Sequence, residues 1–261
     1  MIEQYLDRSV RELLVLRQDG TSLCVPACIF RRAIGQAEGV IDQFANFGVD
    51  VFSILGMRNL SAFIGELYAA AAVKCSDGLF RKNPHQDGIP DLLIMDSVGA
   101  AHWEGLKHQL REKAPFSPFA TGGIEVKATC GSLPTPPKCQ LKGFSKPDIG
   151  DQRIDCMIGY DWKAHHRETN NLVGLLWDFI DRVPRIVAVF YSSKLTADDW
   201  GKIVKPKEGG GRTTSVSIMN RGGILRMYEG WLFVLRDKKY AQFIDRYNQR
   251  DQLVRALNNR S

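Results

Sequence analysis

The sequence contains no cysteine pattern suited to a metal cluster or a disulfide framework. Its six cysteines, at 24, 28, 75, 130, 139 and 156, form no CxxC pair. No second Cys or His pair follows Cys24 and Cys28 at zinc-finger distance, which excludes a zinc ribbon or finger. Such usage fits free thiols in a reducing compartment. No apolar run approaches the ~20 residues that a membrane span needs. Residues 1–18 carry Glu3, Asp7, Arg8, Arg11 and Glu12, which is not the pattern of a signal peptide. There is no internal repeat and no low-complexity tract. The expectation from these absences is a soluble, intracellular protein.

What is present is ordinary globular material. A hydrophobic fraction of 44% over 261 residues supports a sizeable core. The charge balance, 35 basic against 29 acidic residues, leaves a net +6, a mild excess that suits a polyanionic partner.

Periodicity divides the chain into helical ends and a strand-rich centre. Ile2, Leu6, Val10, Leu13, Leu14 and Leu16 recur near helical spacing, so 2–17 is predicted helical. The same reasoning predicts helices over 27–46 and over 61–73, the latter with Ser61 as N-cap. Strands are expected at 89–95, 124–129, 154–162, 172–180, 185–192, 213–219 and 231–235. A helix over about 101–113 separates the first two of these. Thr196 is expected to cap a short helix ending at Trp200, and a last helix to span about 239–256. Residues 131–150 hold Pro134, Pro136, Pro137 and Pro147 and form a long loop. No linker divides the chain. The fold class expected is α/β, a central mixed β-sheet flanked by helices with a helical N-terminal part.

Two short stretches carry chemistry. Gly88-Ile89-Pro90-Asp91 opens an apolar strand, and Glu125 in Ile124-Glu125-Val126-Lys127 follows Asp91 by 34 positions. In a strand, alternate side chains face opposite ways. Ile124 and Val126 then face a core, and Glu125 and Lys127 stand together on the other face. Two carboxylates offer hard oxygen ligands suited to Mg²⁺, and the backbone carbonyl of Val126 adds a third. Lys127 beside them is placed to orient a water and to neutralise a pentavalent phosphorus. Other readings exist for each residue. Asp91 also suits a turn cap, with Asp87 in its place as ligand. Glu125 and Lys127 also suit a plain salt bridge.

The PD…ExK pattern resembles the PD-(D/E)XK nuclease superfamily, and especially type II restriction endonucleases. The resemblance covers about 61–129, with a spacing between the two catalytic strands longer than in minimal members. It implies a restriction-endonuclease-like core and a Mg²⁺-dependent endodeoxyribonuclease with Asp91, Glu125 and Lys127 as the catalytic set. Many members supply a further carboxylate from the helix before the first catalytic strand. Glu66, in Phe63-Ile64-Gly65-Glu66-Leu67-Tyr68, fits that place, or else is a solvated surface charge. The implied protein is a homodimer acting on double-stranded DNA in the cytoplasm of a prokaryotic cell. The implied organisation is one nuclease domain over 1–261. Within it lie a helical N-terminal region (1–60), a catalytic core (61–129), and sheet completion with DNA-contacting elements (130–261). A repair or structure-specific nuclease of the same superfamily, or a DNA-binding module without catalysis, is the alternative.

Affinity for a duplex comes from phosphate contacts and specificity from base edges. Lys138, Lys142 and Lys146 in the loop after the ExK strand are candidate DNA contacts. So are Lys205, Lys207 and Arg212 around Gly209-Gly210-Gly211, a glycine run that no Gly-Lys-Ser/Thr follows, so it is not a P-loop. Arg212, Asn170, Asn171, Gln140 and Arg167 are candidate base readers. His165 and His166, near Asp161, suggest a metal site or a general base, but neighbours on a strand face opposite ways, so both do not readily bind one ion.

Overall fold

The computed structural model describes residues 4–85, 88–206, 215–246 and 252–259. In chain order its strands are β1 (Tyr5–Asp7), β2 (Glu12–Leu16), β3 (Ser22–Pro26), β4 (Phe80–Lys82), β5 (Leu92–Ile94), β6 (Gly123–Thr129), β7 (Lys163–Ala164), β8 (Leu172–Ile180), β9 (Val183–Ser192), β10 (Ser217–Ile218) and β11 (Trp231–Leu235). Its helices are α1 (Cys28–Ala45), α2 (Val51–Cys75), α3 (Ser97–Leu106), α4 (Pro136–Leu141), α5 (Arg221–Glu229), α6 (Lys238–Asp245) and α7 (Gln252–Asn258).

Seven strands form one mixed sheet in the order β1-β11-β9-β8-β6-β5-β4. Every pair is antiparallel except β6 and β8, which run parallel. The two most apolar runs, β8 and β9, occupy the centre. Asp181 and Arg182 join them with φ of 50° and 67°. Two positive φ values match a turn whose twist suits a tight hairpin. A strand covered on both faces need not alternate with polar residues, and β8 is buried from Leu172 to Phe179. Its Val173, Leu175, Trp177 and Phe179 pack with α1 and α2, through residues such as Phe30, Ile34, Ile64 and Tyr68. Leu172 and Leu176 face the opposite layer, with Trp162, Tyr228, Tyr240 and Phe243. The result is an α/β protein with helices on both faces of the sheet.

Several predicted elements are corrected. Residues 2–17 form no α-helix where described: Tyr5–Asp7 is a sheet edge against β11, and Glu12–Leu16 forms a hairpin with β3. Leu13 and Val15 are buried while Glu12 and Leu14 are exposed, a period of two that the leucine count concealed. The helical N-terminal region is therefore confined to α1 and the start of α2. Helix α2 begins well before Ser61. Asp50 caps it by accepting from Ser53 N at 3.0 Å, and Gly56 kinks it at φ 69°. Ser61 lies inside the helix, and its Oγ accepts a hydrogen bond from Trp177 Nε1 at 3.1 Å. Residues 154–162 form no strand. Asp178 holds their start against β8 by accepting from the Arg153 and Ile154 amides at 2.9 and 3.0 Å. Of the strand predicted over 213–219, residues 213 and 214 lie outside the described residues and β10 covers Ser217–Ile218; the last helix is described as two, α6 and α7. The short helix at Thr196 has a full capping box with Asp199.

Candidate active site

The site begins where two strands part. β6 pairs with β8 at every residue from Glu125 to Thr129. On its other edge it pairs with β5 only at Ile124 and Gly123. A Cβ at Gly123 would lie 1.9 Å from the Leu92 carbonyl oxygen, so only glycine lets β5 come this near. Past Ile124 the edge of β6 is open, and Asp91, the residue before β5, enters the gap. Its Oδ2 accepts the Val126 N–H at 2.7 Å. The Glu125 N–H bonds Asn171 on the β8 side. In an extended chain the next residue then points both backbone groups the other way, so the Val126 carbonyl faces the same gap as Asp91.

The alternation expected of Ile124-Glu125-Val126-Lys127 is realised. Ile124 and Val126 belong to the core beneath α2, while Glu125 and Lys127 share the opposite face. Lys127 Nζ stands 2.5 Å from Glu125 Oε1 and 3.3 Å from Asp91 Oδ2. Glu125 is 4% exposed, and its Oε2 has no hydrogen-bond partner.

Burial separates the two acids electrostatically. Desolvation and the neighbouring Glu125 charge push the Asp91 carboxyl up to about 6, against Lys127 and the Val126 amide. For Glu125, burial also acts upward, but Lys127 and His166 outweigh it and hold the carboxyl well below its ordinary value. Burial opposes the Lys127 charge, and the two carboxylates outweigh that as well, raising its pKa above the usual lysine value. In this state the site holds one firmly charged carboxylate, one proton-accepting carboxylate and one ammonium.

These groups line a cleft of about 640 Å³. Helix α2 contributes Ala62, Gly65 and Ala69 to one wall, and Lys163, His165, His166 and Ser215 stand among the other lining residues. Glu66 also lines the cleft, yet its carboxylate is ion-paired with Lys82 of β4 and does not join Asp91 and Glu125. Asp87, the rival to Asp91, lies outside the described residues.

Sequence reasoning missed His166. Its Nε2 is 3.6 Å from Glu125 Oε1, just beyond hydrogen-bond length. The alternation argument that set it aside holds only within a strand, and β7 ends at Ala164, where the chain bends. Only the His-His pair itself marked the spot in the sequence.

Among the described residues no three Asp, Glu, His or Cys side chains gather as a metal cage. The donor set is two carboxylates and the Val126 carbonyl. That set fits Mg²⁺, which keeps several waters and needs only one or two protein carboxylates. The partnerless Glu125 Oε2 is consistent with such a fit.

The candidate DNA contacts fare unequally. Lys138, Lys142, Lys146 and Lys205 are exposed; Lys138 lies on α4, a short helix anchored by the buried Cys139, and Lys142 is its C-cap. Lys207 and Arg212 lie outside the described residues. Asn171 is unavailable as a base reader, because it is 2% exposed and bonded to Leu16, Gly123 and Tyr191. Arg167 is bonded to the Ala197 carbonyl.

No protein-family model, curated protein or solved structure matches this chain.

Proposed function

We propose that the protein is a type II restriction endonuclease, hydrolysing phosphodiester bonds of double-stranded DNA at a specific site with Mg²⁺. One observation carries the reading. Asp91, Glu125 and Lys127 meet at a sheet edge that opens for them, in one cleft with a backbone amide and carbonyl between them. A structural salt bridge would need only Glu125 and Lys127. It would not call for a second buried carboxylate whose own charge is opposed by burial.

Asp91, Glu125 and the Val126 carbonyl would hold the cation. Bound there, Mg²⁺ supplies positive charge at the phosphate and a more acidic water. Lys127, firmly protonated, acts as a cation rather than a base. It orients the attacking water and offsets the charge gathering on phosphorus as one P–O bond forms and another breaks. The exposed lysines of the 131–150 segment supply phosphate contacts to the flanking duplex. A two-fold dimer places one such centre on each strand of a palindromic site. A prokaryotic cytoplasm is the setting for such an enzyme.

The test is incubation of the purified protein with unmethylated phage DNA, with Mg²⁺ and with chelator. Discrete fragments that vanish with chelator are expected. A smear points to a non-specific or structure-selective nuclease. Intact DNA from several genomes, with tight binding, identifies a binding module instead.

A further inference from the structure

We propose that His166 is a further catalytic residue, donating its Nε2–H to a non-bridging oxygen of the scissile phosphodiester. The inference rests on the nuclease reading and deepens it, because it assigns the phosphate to a particular wall of the cleft.

The tautomer is fixed locally. His166 Nδ1 accepts the Glu168 backbone N–H at 3.3 Å, so the lone pair is there and the ring hydrogen is on Nε2. A ring nitrogen that carries hydrogen does not ligate a cation through that atom. Nε2 is therefore a donor, on a residue that lines the cleft.

That donor is held only loosely, by Glu125. Nε2 is buried and has no hydrogen-bond partner. Glu125 Oε1 is 3.6 Å away and already holds Lys127 at 2.5 Å. His165 differs: its Nδ1 lies 2.6 Å from the Ser215 carbonyl oxygen. A buried donor left without an acceptor costs free energy, so the arrangement favours an arriving acceptor.

The surroundings specify that acceptor. Lys127, Lys163 and Lys113 line the same cleft beside the cation-binding carboxylates Asp91 and Glu125, and α2 brings Ala62, Gly65 and Ala69 together with Glu66, which Lys82 neutralises. A group with several negative oxygens and no hydrogens suits three ammoniums and an imidazole N–H. A phosphodiester is such a group. Lys127 and His166 both approach Glu125 Oε1, so a phosphate beside that carboxylate comes within reach of both donors.

The experiment uses single-turnover cleavage of a duplex carrying the site read from wild-type fragments. His166→Ala should lower the rate by about 10²-fold, the loss typical of removing one transition-state donor. The Mg²⁺ concentration for half-maximal rate should be unchanged. His166→Gln, which restores an N–H near the same place, should recover much of the rate. Sulfur in place of the non-bridging oxygen is a poor acceptor. It should slow the wild type while adding little to the defect of His166→Ala. The ¹H–¹⁵N signal of the His166 Nε2–H should move when the phosphorothioate duplex is added in Ca²⁺.

Wild-type cleavage by His166→Ala overturns the proposal. So does a defect that extra Mg²⁺ repairs, since that would mean His166 only holds Glu125. If the wild type cleaves no DNA at all, the nuclease reading itself fails and this inference falls with it.

Discussion

Two buried acids on neighbouring strands solve the same problem in opposite ways. Asp178 of β8 is 0% exposed, and both its oxygens are engaged. It accepts from the amides of Arg153, Ile154 and Phe179 and from the Tyr240 hydroxyl. Glu125 of β6 is nearly as deep, yet one oxygen has no partner and the other leans on Lys127. The first acid is saturated by the fold and stitches the 150–162 segment to the sheet. The second is left short of donors at the edge of a cleft. A buried carboxylate whose partners come from the chain is structural; one whose partners are missing awaits something from outside.

Breaking each side of that contrast should break a different property. The largest effect is expected from Asp91→Ala or Lys127→Ala, which should cut cleavage by at least about 10³-fold while DNA binding survives. Single-turnover rates beside a binding titration measure this, and full activity in either variant would sink the assignment. Asp178→Ala should act on stability instead. It strands several buried amides, at a cost of about 3 kcal/mol, and should lower the melting temperature by roughly 6–12 °C. Glu125→Gln should leave the melting temperature near wild type and abolish cleavage. Thermal unfolding of both variants compares the two acids directly.

The pH dependence sharpens the contrast further. Asp91 is raised from 3.8 to about 6 in the folded protein. Its contribution to stability is therefore complete below pH 3.8 and lost as pH rises through about 6. Glu125, being depressed, stays charged across that window. A cation must displace the Asp91 proton. Mg²⁺ should thus raise the melting temperature more at pH 7 than at pH 5, and Asp91→Asn should erase the difference. An equal shift at both pH values would count against Asp91 as a ligand.

The smallest effect is expected at Glu66. Its pair with Lys82 is half-exposed, so Glu66→Ala should change stability by less than about 1 kcal/mol. It should slow cleavage about tenfold at limiting Mg²⁺ and little at saturation, the scale of an outer-lying carboxylate. Identical Mg²⁺ titrations for variant and wild type would remove Glu66 from the cation's surroundings.

The comparison also explains what could be read from the chain. The ExK strand was legible because four residues encode a period, and the fold realised it, with Glu125 and Lys127 on one face beside Asp91. The apolar runs of β8, β9 and β11 were legible for the same reason: burial on both faces leaves one composition. The N-terminal hairpin was not. Leu13, Leu14 and Leu16 satisfy a helical count, and only pairing with β3 selects the period of two. His166 was illegible because its place depends on a bend after β7 that local sequence does not announce. The engagement of Asn171 was hidden too, since its partners Leu16, Gly123 and Tyr191 are remote in sequence.

Asn171 has a consequence for how such a chain can change. Its Nδ2 donates to the Leu16 and Gly123 carbonyls at 2.6 and 3.0 Å, and its Oδ1 accepts the Leu16 N–H at 3.0 Å. This clasp sits at the first turn of the parallel β6–β8 ladder, and a slip of one residue there would turn Glu125 and Lys127 inward. The long excursion between Thr129 and Leu172 therefore returns to a fixed anchor, whatever path it takes. Insertions or deletions within it, away from His166, can reshape the surface beside the cleft while Asp91, Glu125 and Lys127 stay where they are.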